Sequence, residues 1–178
     1  MLHVITGGSG SGKSAFAEDC IVKLNGKERI YIATMYPFDE ESHQRIKKHQ
    51  KMRSEKGFQT IECYVGIKNL AILNGADVLL ECMSNLTANE MYRSDGAGIK
   101  TVEEILEGVN VILQKAANLL IVTNEVFSDG ITYDEETKRY QEYLGIINKE
   151  VGRRADLVTE VVCGIPITQK RGKECERV

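Results

Sequence analysis

The chain has 2 prolines in 178 residues, and none of its 5 cysteines stands in a CxxC pair. So little proline argues against a Pro-rich linker and leaves glycine to make the turns. The odd, scattered cysteines (Cys20, Cys63, Cys82, Cys163, Cys175) argue against a disulfide scaffold and a structural zinc site. They fit a reduced, cytoplasmic protein. No run approaches the roughly 18 consecutive apolar residues a membrane span needs. Met1–Thr6 is apolar, but glycines and Lys13 follow at once, which is not a signal-peptide pattern. The net charge of −3 is far from the basic balance of a duplex-DNA-binding domain.

Hydrophobic residues at 42% and charged residues at 28% describe a chain able to bury a core. The length fits a single domain over residues 1–178, with a tail expected to fray after about Gln169. Five short apolar runs read as buried strands: Leu2–Thr6, Arg29–Thr34, Asp77–Cys82, Asn118–Thr123 and Leu157–Cys163. Between them lie helical patterns. Ala17, Ile21 and Leu24 recur within 13–24, and residues 40–56 are charged without Gly or Pro. Val102, Ile105, Leu106, Val109 and Leu113 make one apolar face, and Tyr140, Tyr143, Leu144, Ile147 and Val151 another. Ser94–Ile99 reads as a surface loop. Continuous apolar strands alternating with helices predict a mostly parallel open α/β sheet with helices on both faces. Such sheets hold ligands beyond the carboxyl ends of their strands.

Gly7-Gly8-Ser9-Gly10-Ser11-Gly12-Lys13-Ser14 matches G-x-x-x-x-G-K-[ST] between a strand and a helix. The glycines let backbone N–H groups turn toward phosphate oxygens, and the helix N-terminus adds a favourable dipole. Lys13 is placed to reach the β- and γ-phosphates, and the Ser14 hydroxyl to ligate Mg²⁺. A phosphate loop also takes a carboxylate from a strand end. Glu81 and Glu125 both stand at one, and Glu81, beside a buried run, is favoured.

Arg45, Lys47, Lys48, Lys51, Arg53 and Lys56 face a single anion, Glu55, a local +5. Arg45, His49 and Arg53 are spaced i, i+4, i+8 and stack along a helix. Guanidinium forks bind phosphate, and a neutral imidazole between them can act as a nucleophile. His43 reads as an exposed histidine and His3 as a packed one. The basic stretch is short and lacks interleaved aromatics for base stacking, which argues against nucleic acid as a partner.

GGSGSGKS, YIAT, Arg45-Ile46-x-x-His49-x-x-x-Arg53, LLEC, VTNEV, Gly145-x-x-Asn148, Ala155-Asp156 and Gly164 follow in order. This order resembles the bifunctional adenosylcobinamide kinase/adenosylcobinamide-phosphate guanylyltransferase family of cobalamin biosynthesis, from Leu2 to about Gln169. The resemblance implies a P-loop NTPase domain of recombinase type and two reactions. A nucleoside triphosphate, ATP or GTP, first phosphorylates the aminopropanol hydroxyl of adenosylcobinamide. GMP then passes from GTP to that phosphate by way of a guanylylated histidine, which matches His49. Arg45 and Arg53 would offset phosphate charge, and Glu81 would bind nucleotide or Mg²⁺. A homotrimer is implied, with a corrinoid and nucleotides as small-molecule partners.

The chain departs from the family pattern at three places. Gly10 stands where the family often has arginine. Phe127–Thr132 replaces a Gly-x-Gly-Ile-x-Pro stretch, and Lys138–Glu142 an Arg-x-Phe-Arg-Asp pattern. These changes remove guanidiniums, and lysine or glutamine does not replace an arginine fork. Two other readings compete: a P-loop kinase of another small alcohol without guanylyl transfer, and a non-catalytic nucleotide-gated regulatory protein.

Overall fold

The computed structural model describes residues 1–125 and 133–172, the side chains of Glu41, Arg45, Lys48, His49 and Met52 excepted. The five apolar runs all form strands: β1 (Leu2–Thr6), β2 (Arg29–Ala33), β4 (Asp77–Leu80), β5 (Asn118–Val122) and β6 (Leu157–Val162). Two more strands flank them, β3 (Gln59–Glu62) and β7 (Ile165–Arg171). The sheet order is β3-β2-β4-β5-β1-β6-β7. Every pair is parallel except β6 and β7, which form an antiparallel hairpin. Cys163 (φ 50) and Gly164 (φ 80) make its turn, and two positive φ values suit the twist of a two-residue hairpin.

Alternation along the strands divides the core in two. Helix α1 (Lys13–Leu24) covers one face, where Ala17 and Ile21 meet Ile5, Tyr31, Leu79, Leu120 and Val122. Helices α3 (Met83–Tyr92), α4 (Thr101–Lys115) and α5 (Glu135–Arg154) cover the other. There Leu86, Ile105, Ile112, Leu144 and Ile147 pack on Val4, Ile32, Val78 and Leu80. Gly108 is required where α4 crosses the turn at Ile67, because an added Cβ would stand 2.4 Å from Ile67 Cγ1. Helix α2 (Glu40–Arg53) opens on Asp39, whose carboxylate accepts from the Ser42 N–H at 2.7 Å.

The structure corrects several sequence-based boundaries. Strands β3 and β7 were not expected, because each is a sheet edge with mostly exposed residues and no continuous apolar run. Helix α3 was missed because Ser84, Thr87, Asn89 and Glu90 are buried polar residues, which blur its apolar face. Helix α2 ends at Arg53 rather than residue 56, and α5 starts at Glu135, ahead of Tyr140. The chain stays paired with β6 through Arg171, and residues 173–178 of the expected tail lie outside the described residues. No helix among the described residues is long and apolar enough to cross a membrane.

Candidate active site

Residues 7–12 link the carboxyl end of β1 to α1. Gly7 (φ 151), Gly10 (φ 71) and Gly12 (φ 91) hold backbone conformations that side chains rarely adopt. At Gly7 a Cβ would also stand 2.5 Å from the Val161 carbonyl oxygen. At Gly10 the surroundings are open, so the left-handed backbone itself, not crowding, suits the glycine. Gly12 caps α1 with no side-chain hydrogen bond, which leaves the first amides of the helix to a ligand. The Gly164 N–H donates to the Ser11 carbonyl at 2.8 Å, so the β6–β7 turn braces the loop. The Ser11 hydroxyl is buried without a hydrogen-bond partner among the described residues. A phosphate oxygen would supply that partner.

Lys13 folds back over the loop, and its ammonium donates to the Gly8 carbonyl at 3.0 Å. Burial pushes its pKa below the ordinary value, opposed by the Cys82 thiol nearby. Ser14 is half-buried in the first turn of α1, while Gly8 and Ser9 are exposed. Lys13, Ser14 and the glycines thus gather as the motif predicts.

Glu81 follows β4, which is separated from β1 only by β5. It is 6% exposed, and its carboxylate accepts from the Thr34 N–H at 3.3 Å. Tyr31 lies beneath it. Burial, with the Glu81 carboxylate close by, pushes the Tyr31 phenol well above its ordinary pKa. Glu125, the other acidic candidate, is exposed, and its backbone N–H donates to the Gly7 carbonyl at 3.3 Å.

Glu81 shares a crevice of about 20 Å³ with Ile46, Gln50 and Arg53 of α2 and with Glu62 and Tyr64. Helix α2 therefore lies across the carboxyl ends of β2, β3 and β4. Arg53 is 6% exposed, with its guanidinium 4.0 Å from the Tyr31 ring centroid and its Nε donating to Thr60 Oγ1 at 3.2 Å. Of the predicted arginine–histidine–arginine row, this end forms the floor of the crevice. Residue 49 lies on α2 between Ile46 and Gln50, and the side chains of Arg45 and His49 are outside the described residues. Lys56 straps the end of this segment to the P-loop helix, donating to Glu18 and Asp19 of α1 at 2.9 Å each.

Spacing alone did not point to Thr34, Cys82 or Asn89. Asn89 Nδ2 donates to the Thr34 carbonyl at 2.8 Å, and Thr34 Oγ1 to the Cys82 carbonyl at 2.9 Å, which fixes the carboxyl ends of β2 and β4. Only the pairing of β2 with β4 brings them together. His3 packs inside the sheet, its Nε2 2.9 Å from Thr159 Oγ1, and His43 is exposed, both as expected. Phe127–Thr132 lies outside the described residues. Lys138 stands on the exposed first turn of α5 and pairs with Glu135 at 2.7 Å.

A mostly parallel sheet with this glycine cradle at the end of β1 and an acidic residue one strand beyond its neighbour defines a P-loop nucleotide-binding protein. A KaiC-like protein from Pyrococcus horikoshii OT3 has the same fold, with a TM-score of 0.50 at 14% identity over 89% of this chain and 71% of that one. The chain belongs to the CobU family, cobinamide kinase/cobinamide phosphate guanyltransferase, whose family model matches residues 3–169. It is 29% identical to the bifunctional adenosylcobalamin biosynthesis protein CobU of Escherichia coli K12 and 27% identical to that of Salmonella typhimurium LT2. Each alignment covers 96% of this chain and 100% of the relative.

Proposed function

We propose that this protein phosphorylates adenosylcobinamide with a nucleoside triphosphate and then converts the product to adenosylcobinamide-GDP through a guanylylated His49. In the first step the aminopropanol hydroxyl attacks the γ-phosphorus and gives up its proton to solvent, the bond to the β-bridging oxygen breaks, and the nucleoside diphosphate leaves. In the second, neutral imidazole attacks the α-phosphorus of GTP. A P–N bond forms and pyrophosphate leaves. An oxygen of the corrinoid phosphate then attacks the same phosphorus, breaking the P–N bond and freeing the histidine. Two displacements at one nucleophile replace a direct reaction between two highly charged phosphates.

The observation that carries this reading is the strap between α2 and α1. Lys56, held by Glu18 and Asp19, joins the segment bearing the RIxxHxxxR motif to the helix that begins at the phosphate cradle. Lys13 is held in the loop and buried, where its charge acts strongly on a polyphosphate. Arg45 and Arg53 add positive charge along α2 for the triphosphate and the leaving pyrophosphate.

The hard oxygen donors of Ser14 and the buried carboxylate of Glu81 fit Mg²⁺. Among the described residues no cluster of three or more His, Cys, Asp or Glu forms a metal cage. A P-loop cation needs none, since phosphates complete its shell. When bound, Mg²⁺ neutralises charge on the phosphates. We further propose that the protein is cytoplasmic and works as a homotrimer.

Incubation with α-labelled GTP and Mg²⁺ should label the protein through an acid-labile, alkali-stable bond. His49→Ala should abolish the label. Equal labelling of that variant would remove His49 from the mechanism, and ATP-dependent phosphorylation with no labelled protein would favour a simple kinase.

A further inference from the structure

We infer that an aromatic platform beside the α2 crevice, built from Tyr36, Phe38 and Tyr64 and braced by Arg93, receives the macrocycle of the corrinoid substrate. The segment between β2 and α2 brings Tyr36 and Phe38 together, with ring centroids 4.7 Å apart. Tyr64, which follows β3, meets Tyr36 edge-on at 5.1 Å. The Arg93 guanidinium lies 4.3 Å from the Tyr36 ring centroid and 5.8 Å from that of Tyr64. Four residues from three separate segments thus converge on one surface.

The platform is unlike ordinary core packing. Phe38 is 71% exposed, more than any other phenylalanine or tyrosine among the exposed large hydrophobic side chains. It precedes the cap of α2, where an apolar residue often staples onto the fifth residue after it. That residue here is His43, itself exposed. The polar edges are already engaged: Tyr64 Oη donates to Glu62 at 2.9 Å, and Arg93 makes a two-pronged bond to Asp95 at 2.8 and 3.0 Å. What remains on offer is ring surface, suited to a broad apolar face and ill suited to reading the edge of a base.

Position and size select the occupant. Tyr64 belongs both to the platform and to the crevice that holds Ile46, Gln50 and Glu81, so the two are continuous. From Asp39 at the start of α2 to residue 49 is about 15 Å along the helix axis. A corrinoid carries its macrocycle at one end and the phosphorylated propanol arm at the other, and spans such a distance.

This inference rests on the proposed guanylyl transfer but is tested apart from it. Equilibrium dialysis of the full chain with adenosylcobinamide phosphate, read by the corrin absorbance, reports binding without turnover. Phe38→Ala should weaken binding about tenfold, the loss of one stacking contact, and raise the KM for the corrinoid phosphate equally. Phe38→Tyr should restore both. The KM for GTP in self-labelling is a separate readout and should not follow the corrinoid values. Unchanged corrinoid binding in Phe38→Ala would overturn the inference, as would a raised KM for GTP alone, which would assign the platform to guanine. Absence of labelled wild-type protein, with corrinoid binding still sensitive to Phe38, would instead count against the guanylyl step and leave the platform standing.

Discussion

His3 shows how one buried side chain couples stability to pH. It is 3% exposed inside β1, and burial pushes its pKa from 6.5 down to about 4. Protonation therefore favours the unfolded chain. Its contribution is fully present above pH 6.5 and is lost as the pH falls through about 4. At about 1.4 kcal/mol per pKa unit, the loss over that window is at most about 3.5 kcal/mol. His3→Gln keeps a polar partner for Thr159 but carries no titrating group. Urea unfolding at pH 7 and pH 4 should show a smaller acid loss for the variant, and an identical loss would remove His3 as its source. At the same scale, the glycines of the loop were legible from spacing, because only glycine tolerates a φ of 71 or 91 without strain. Arg53 was legible only as a cation. Its burial over Tyr31 follows from β2 and β3 pairing beside it, a contact between segments far apart in sequence.

Helix α2 is strongly charged, and its attachment depends on a few contacts. Its last residue is buried on Tyr31, and Lys56 just beyond it bonds to Glu18, which is 0% exposed. Glu18 Oε1 has no hydrogen-bond partner among the described residues, so Lys56 offsets most of the cost of burying that carboxylate. Lys56→Met should destabilise the protein by about 1–3 kcal/mol. It should also speed amide exchange in α2 more than in α4, and guanylylation should slow as the helix loses its strap to the phosphate loop. Uniform exchange across both helices would mean that the strap serves general stability alone. Periodicity could show that this helix exists, because charge without Gly or Pro favours one. It could not show where the helix docks, because the docking face is not an apolar stripe.

Across the whole molecule, the carboxyl ends of the parallel strands gather the P-loop, Glu81, the α2 crevice and the aromatic platform on one side. At the opposite ends Met1, Lys23, Leu24, Leu157 and Arg171 line a separate cavity of about 330 Å³. A ligand binding there contacts β1, β2, β4 and two helices, so it should stabilise the fold globally. Mg²⁺·GTP at a hundred times its dissociation constant should add about 2.7 kcal/mol. Thermal unfolding should report this as a single shifted transition, and the shift should shrink in Lys13→Ala. A shift of unchanged size in that variant would place the nucleotide elsewhere.

Much of this was settled locally. Five continuous apolar runs had to be buried on both faces and so specified a parallel α/β sheet; the glycine pattern after the first specified a phosphate cradle. These features depend on neighbours in sequence, where propensity and spacing act. The edge strands β3 and β7 and the polar-lined α3 could form only against elements already in place, since none carries a continuous apolar signal of its own. The same holds for the site around Glu81. Tyr31, Thr34, Arg53 and Tyr64 come from different segments, and only the pairing of β2 between β3 and β4 brings them within contact. Chemistry that needs one segment was written in the chain, while chemistry that needs several was decided by the order in which the sheet assembled them.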